Sequence, residues 1–338
     1  MKRSRLAAGL VALLVAGALV APGAPGALAA YKRSHAGVIT NGPLLIEDNG
    51  QSNVGGPLLY AVTPGQPRHS IGHAFYGNAY LESGAASPRG TYIALAEQLG
   101  GLWVLDATGA APRRVVGATP SRIATDVTAV AWSPDRFTLA YVRDTRNMGC
   151  GCGPMMPDTT PGDGLWVVPY DGSTAPRQIL TSVSLGTDGI NGLSGWTPDG
   201  QAVIANTARG VEAISVPSGV RRMLALGAYG SLSPDGTQLA LVTSTKATHN
   251  TSIQTLTIRN IASGQTRILA RTNVYLGVPH WAPDGTQIAY TWSPPGTFPN
   301  TPIDVHAFSL STGQVRTIYR QPDDEAETSL VAWLSAPQ

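Results

Sequence analysis

Five of the six sulfur atoms that follow residue 29 lie in one stretch, NMGCGCGPMM at 147–156. Met148, Cys150, Cys152, Met155 and Met156 offer two thiols and three thioethers there. Such donors admit three chemistries. Two thiolates beside thioethers suit a soft ion, Cu(I) above all. Zinc would need more ligands than this stretch supplies, and it contains no histidine. Two cysteines one residue apart can instead close a Cys-x-Cys disulfide after export. So small a loop gains little entropy and is easily strained, which makes the bond reducible. The third reading is an unpaired or partner-linked loop whose methionines pack on an apolar surface. No motif names a cofactor; copper is the one that these donors would fit.

Other polar candidates stand apart from the sulfurs. His73 in GHAFYGNAY and His249 in KATHNTS each lie alone, and the ordinary fate of a loop histidine is solvation. Asp323, Asp324, Glu325 and Glu327 in QPDDEAETS form an acidic run. Most such runs are solvated, and the spacing is not that of a Ca²⁺ loop, but a cationic partner fits them. DNGQSNVGG from Asp48 has the same character. His280 precedes Trp281, and His306 takes the place that Trp103 and Trp166 hold in comparable segments, so both are expected to pack. There is no H-E-x-x-H, no sialidase-type Asp box and no phosphate-cradling glycine loop. No catalytic residue is assigned. An enzyme whose site is assembled from several segments would leave no local motif.

The start of the chain sets the compartment. Lys2, Arg3 and Arg5 precede an apolar run from Leu6 to Val20; Pro22 and Pro25 break it, and Ala27-Leu28-Ala29 is a small-x-small cleavage site. This predicts a secretory signal peptide at 1–29. The rival is an uncleaved anchor, but the run is short for a span and interrupted by proline. The mature protein is therefore expected outside the cytoplasm, whether periplasmic, wall-associated or secreted, without a membrane span. Three basic and no acidic residues leave with the signal, so 20 Lys+Arg remain against 21 Asp+Glu. That balance implies no basic patch and argues against nucleic acid as a partner.

Charged residues make up only 13% of the chain, while there are 39 glycines and 26 prolines. Many short strands joined by turns fit this composition better than solvated helices. Self-similarity bears this out. A Ser/Thr/Ala-Pro-Asp-Gly turn recurs as ASPRGTYIALA (86–96), AWSPDRFTLAYV (131–142), GWTPDGQAVIAN (195–206), SLSPDGTQLALV (231–242) and HWAPDGTQIAYT (280–291). Proline presets the turn, Asp follows it, and Gly accepts the closing conformation. Arg136 stands where Gly belongs and predicts a strained or altered turn. A second hairpin, strand-Gly-Arg-strand, recurs six times, with Gly65 and Arg68, Gly109 and Arg113, Gly172 and Arg177, Gly219 and Arg222, Gly264 and Arg267, and Gly313 and Arg316.

Six of one element and five of the other imply a split unit. Trp333 sits where a sixth aromatic belongs, so 329–333 is expected to form the innermost strand of a blade whose others are 42–47, 57–62 and 67–72. Such closure leaves no long sheet edge. The W-S-P-D-G turn followed by I-A-Y, with the strand-Gly-x-x-Arg hairpin, resembles the repeat of the TolB-like β-propeller family over nearly all the mature chain. The resemblance implies an all-β fold: one six-bladed propeller of four-stranded blades at 42–338, behind a leader at 30–41. It is a marker of fold rather than of activity. The α/β domain that precedes the propeller in TolB is not expected here, so a Tol–Pal role does not carry over. Prolyl-oligopeptidase-like enzymes share such repeats but need G-x-S-x-G, which is absent.

With strands A to D running from inner to outer, both recurrent turns fall on one face. The B–C loops and D–A crossovers fall on the other. The sulfur stretch lies in the B–C connection of the second blade, about twenty residues long where others are short, and such loops are usually functional or disordered. Trp132, Trp196, Trp281 and Trp333 recur once per repeat and are expected between blades. The expected function is a monomeric, non-catalytic module binding a protein or small ligand through the loop face. A copper or redox protein and a propeller lyase, lactonase or hydrolase with an axial-funnel site stand as alternatives.

Overall fold

The computed structural model describes residues 41–48, 58–73, 81–97, 101–117, 124–146, 162–181, 189–247, 252–293, 303–321 and 328–336. They form strands and turns, with no helix among them. From the N-terminal side come β1 (Asn41–Asp48), β2 (Leu58–Val62) and β3 (His69–His73). Blade 1 is β4 (Leu81–Ala86), β5 (Tyr92–Glu97), β6 (Gly101–Asp106) and β7 (Arg113–Val116). Blade 2 is β8 (Ala124–Trp132), β9 (Thr138–Arg146), β10 (Gly164–Pro169) and β11 (Arg177–Thr181). Blade 3 is β12 (Ile190–Trp196), β13 (Ala202–Thr207), β14 (Gly210–Ser215) and β15 (Arg221–Leu226). Blade 4 is β16 (Ala228–Leu232), β17 (Gln238–Lys246), β18 (Ser252–Asn260) and β19 (Thr266–Thr272). Blade 5 splits its inner strand into β20 (Tyr275–Leu276) and β21 (His280–Trp281), where Pro279 lacks a ladder donor. It continues as β22 (Gln287–Ser293), β23 (Asp304–Ser309) and β24 (Val315–Tyr319). The last strand, β25 (Thr328–Ser335), completes blade 6 in the order β25-β1-β2-β3.

The ring thus closes through the two ends of the chain, as the repeat count requires. Leu44 lies opposite Trp333 and Leu45 opposite Ala332. Cores form between blades. Strand positions alternate, so Ala94 and Ala96 of β5 meet Trp132, Leu139 and Tyr141 of blade 2, while Ile93 and Leu95 meet Leu45, Val331 and Leu334 of blade 6. The recurrent tryptophans belong to these seams. The indole Nε1 of Trp132 donates to Ala85 O (2.9 Å), that of Trp196 to Ala131 O (3.2 Å) and that of Trp281 to Ser231 O (3.1 Å). Each reaches the same position of the preceding inner strand. Trp333 departs from the rule and donates within its own blade, to Gly42 O (3.1 Å).

The first turn owes its shape to its residues. Its Gly N–H returns to the first residue's carbonyl, as in Gly90 to Ser87, Gly200 to Thr197, Gly236 to Ser233 and Gly285 to Ala282, each 2.8 Å. The Asp carboxylate accepts the backbone N–H two residues on: Gln201 to Asp199 (3.0 Å), Thr237 to Asp235 (3.1 Å) and Thr286 to Asp284 (2.9 Å). The Ser or Thr oxygen accepts the N–H that opens the next strand, from Tyr92, Thr138, Ala202 and Gln238. The hairpin glycines Gly65, Gly109, Gly172, Gly219, Gly264 and Gly313 all have φ between 66° and 87°. At Gly109 a Cβ would also stand 1.7 Å from Ile71 O of the neighbouring blade.

Arg136 keeps the turn shape and adopts φ 71°, the left-handed conformation that its glycine counterparts reach freely. Arg136→Gly is expected to raise stability by about 0.5–1 kcal/mol, the relief of strain being partly offset by the more flexible unfolded chain. Urea unfolding checks this; a lowered midpoint would refute it.

Candidate functional site: the loop face

The two faces of the ring are built differently. All the connections on the turn face are short, and their polar groups are satisfied within the turns. The longer connections lie on the other face: 49–57, 147–163 and 294–303 within blades, and 74–80, 117–123, 182–189 and 320–327 between them.

The strand ladders show the relief of that face. In blade 2, β10 begins opposite Arg143, but β8 and β9 continue for further pairs, to Ala124 opposite Arg146. In blade 4, β16 begins opposite Thr243, but β17 and β18 continue to Lys246 opposite Ser252. In blade 3, β13 and β14 stop at Thr207 opposite Gly210. Blade 3 is therefore a saddle between two raised hairpins. The blade 2 wall leads into the segment that holds Cys150 and Cys152, and the blade 4 wall into the segment that holds His249.

Beneath the saddle is a buried polar network. Asn206 Oδ1 accepts from Gly230 N (3.0 Å), and its Nδ2 donates to Ser194 Oγ (2.7 Å) and Gly230 O (3.2 Å). The Ser194 hydroxyl donates to the same Gly230 carbonyl. Arg221 grips buried Glu212 through Nε (2.7 Å) and Nη2 (3.0 Å), and Thr207 donates to Glu212 Oε1 (3.3 Å). Both networks are saturated, which fixes the floor rather than leaving reactive groups in it. At the surface lie Leu226 (70% exposed) and Tyr229 (51%), with Tyr275 and Val278 on the inner strand of blade 5 also exposed. The short crossovers Leu226–Ala228 and Thr272–Tyr275 leave these apolar side chains uncovered.

Other polar groups cluster further out. His306 stacks on Trp292 (centroids 5.3 Å, 9°) and lies 3.8 Å from Asp304 Oδ2, which Arg320 Nε also approaches at 3.5 Å. Burial lowers its pKa, outweighing the raising effect of Asp304. The expectation of a packing role holds, with the Asp304 carboxylate beside the ring. At the seam of blades 6 and 1, buried Glu47 accepts from Leu81 N (3.2 Å), and Glu97, also buried, is the ladder partner of Leu81.

Of the residues singled out in the sequence, Met148, Cys150, Cys152, Met155, Met156, His249, Asp323, Asp324, Glu325 and Glu327 lie outside the described residues. His73 ends β3 opposite Leu58; its side chain is outside the description. The saddle and its apolar rim were not foreseen. The nine-residue lengths of β8, β9, β17 and β18 carry that signal, but only alongside the shorter blade 3. Among the described residues, no three His, Cys, Asp or Glu side chains converge as metal ligands, and no helix is long and apolar enough to cross a membrane.

No protein-family model matches the sequence, and no curated protein matches it. Solved structures do share the architecture. TolB from Acinetobacter baumannii superposes with a TM-score of 0.62 at 17% identity, covering 90% of this chain and 70% of that one. A putative TolB from Agrobacterium tumefaciens gives 0.57 at 15% identity over 86% and 92%. An oligogalacturonate lyase in complex with manganese gives 0.53 at 14% identity over 78% and 71%. At these identities the likeness is one of fold: this chain is a TolB-like six-bladed propeller.

Proposed function

We propose that this protein is an exported, non-catalytic binding module that engages a protein or small ligand of the cell envelope or exterior through its loop face. The observation that carries the reading is the asymmetry of the ring. One face is closed by short turns with satisfied polar groups, whereas the other has two raised walls around a saddle, with Leu226 and Tyr229 exposed beside it. Exposed Tyr and Leu beside a rigid polar floor can anchor a partner with little loss of side-chain freedom. Export rests on the signal-peptide pattern at 1–29.

The test is a competition between faces. Leu226→Asp and Tyr229→Asp are expected to weaken capture of an extracytoplasmic partner at least tenfold, while Thr237→Asp on the turn face leaves it intact. Equal capture by all three variants would refute the reading.

A second reading, a copper or redox role, is favoured by the sulfur stretch at the blade 2 wall. Native mass spectrometry of exported protein, purified without chelator, would detect bound copper, and Cys150→Ser would abolish it. A metal-free reduced protein that takes up no Cu(I) removes that reading. The lyase in complex with manganese shows that the architecture can carry an enzyme; turnover by this chain would displace the binding module.

A further inference from the structure

In a repeat protein, what the fold requires recurs in every blade, and what a single blade carries alone answers to something else. On the turn face, several neighbouring positions depart from the repeat together. Phe137 stands where the other turns have Thr91, Gln201, Thr237 and Thr286. Tyr170 stands where Ala107, Val216, Ile261 and Leu310 make the equivalent backbone hydrogen bond. Arg136 stands in place of glycine, at a left-handed φ. From blade 1, Tyr92 takes the position of Thr138, Ala202 and Gln238.

These departures converge. Ring centroids are 5.4 Å apart for Tyr92 and Tyr170, 6.4 Å for Phe137 and Tyr170, and 5.8 Å for Trp132 and Tyr170. The guanidinium of Arg136 lies 5.9 Å from the Phe137 ring centroid, and that of Arg113 lies 5.5 Å from the Tyr170 centroid. Phe137 is 60% exposed and Tyr92 38%. Folding accounts for neither an exposed phenylalanine at a threonine position nor an arginine held at a glycine's dihedral. Strain of that kind persists where a side chain is needed for another purpose. Arg113 is different: its bond to Tyr170 O (2.9 Å) recurs from Arg177 to Val216 O (3.4 Å), so it is a clasp between blades.

Aromatic rings and arginine dominate protein interfaces, and a guanidinium stacked on a ring still offers its N–H edge to a carboxylate. The acids beside the patch are engaged by their own turns. Asp135 Oδ1 accepts from Phe137 N (2.8 Å) and from the Ser133 hydroxyl, and Asp171 Oδ1 accepts from Ser173 N (2.9 Å). Both carboxylates keep their charge, and that of Asp171 lies in the field of Arg113, so the cation of this patch left without a carboxylate partner among the described residues is Arg136, beside the exposed Phe137 ring. One face of the Phe137 ring and one of the Tyr170 ring already carry a guanidinium, which leaves less ring surface for a saccharide to stack on.

We infer that this patch is a docking surface, separate from the loop face, for an acidic peptide segment of a partner protein. An apolar side chain of that segment packs on Phe137 and Tyr92, and an adjacent Asp or Glu pairs with Arg136.

The experiment titrates blocked synthetic peptides centred on Asp-Trp-Glu, Asn-Trp-Gln and Lys-Trp-Lys, and an oligouronate, into the mature protein by fluorescence anisotropy. The acidic peptide is expected to bind at least tenfold more tightly than the neutral one and to weaken as salt rises. Phe137→Ala and Arg136→Gly should each weaken it at least tenfold. Arg136→Gly should do so while raising the unfolding midpoint, so that lost binding is not lost folding. Tyr229→Ala, on the other face, should bind normally. Equal affinity for the three peptides, no binding at millimolar peptide, preference for the oligouronate, or full binding by both variants would each overturn the inference.

Discussion

A chain ending at residue 327 is expected not to fold cooperatively. That truncation removes β25, the inner strand of blade 6, and with it the buried side chains Val331, Ala332, Trp333 and Leu334. These residues pack toward both neighbours, Trp333 against Ala282 and Ala289 of blade 5, and Val331 and Leu334 against Ile93 and Leu95 of blade 1. Their loss would leave Leu44, Leu45 and Ile46, which are 0% exposed in the closed ring, along an open edge. Burying each large side chain contributes about 1.5–3 kcal/mol, so the strand accounts for a sum comparable to the roughly 5–15 kcal/mol by which domains are stable. The point variant Trp333→Ala is expected to cost about 3–5 kcal/mol, through the cavity and the loss of the donor to Gly42 O. Urea unfolding followed by circular dichroism would show this, and a peptide of residues 328–338 added in trans should restore a cooperative transition. If the truncated chain unfolds with the midpoint of the full one, end-to-end closure is not what holds the ring.

The architecture was readable because a propeller writes its requirements repeatedly. Gly109 and its five counterparts must be glycine at a left-handed φ, and Pro-Asp-Gly turns must satisfy their own donors, so each constraint leaves a mark at the same spacing. Even the split blade showed itself as a missing turn. The loop-face saddle was harder to foresee, because it is a difference in height between blades. Thr207 and Gly210 look unremarkable until Arg146 and Lys246 are seen to extend beyond them. The turn-face patch was concealed for another reason. Tyr92, the pair Trp132 and Phe137, and Tyr170 come from three separate repeat copies, each of which reads as an ordinary copy of its element. Trp132 was expected between blades and is there; its ring also supports the patch.

Acid should weaken this protein through His280 well before its carboxylates are protonated. The residues that precede the aromatic position of each inner strand are Ala85, Ala131, Gly195, Ser231 and Ala332 in the other blades, all small; blade 5 has an imidazole there. Trp281 packs against Ala240 and Ile258 of blade 4, so by strand alternation His280 points the other way, into the seam with blade 6. Its ladder partner Ala289 belongs to that seam. It is also the seam whose tryptophan, Trp333, gives up the inter-blade hydrogen bond. Burial pushes the His280 pKa down to about 4, with no compensating partner among the described residues. The folded state therefore holds it neutral, while the unfolded chain takes up a proton below its ordinary value of about 6.5. The associated stability is fully present above about pH 6.5 and drains away as pH falls toward 4. The expected loss is about 2 kcal/mol at pH 5 and at most about 3 kcal/mol at pH 4. His306 is lowered as well and adds in the same direction. Asp106 and Asp235, whose pKa values are depressed, act in a lower window, their contribution being lost only as pH falls below about 3.8. His280→Ala places the residue of three other blades in this position. Its urea midpoint should change far less between pH 7.5 and 5 than that of the unaltered protein. Parallel decline of the two would show that the proton enters elsewhere, and that the imidazole in the closing seam does not govern acid stability.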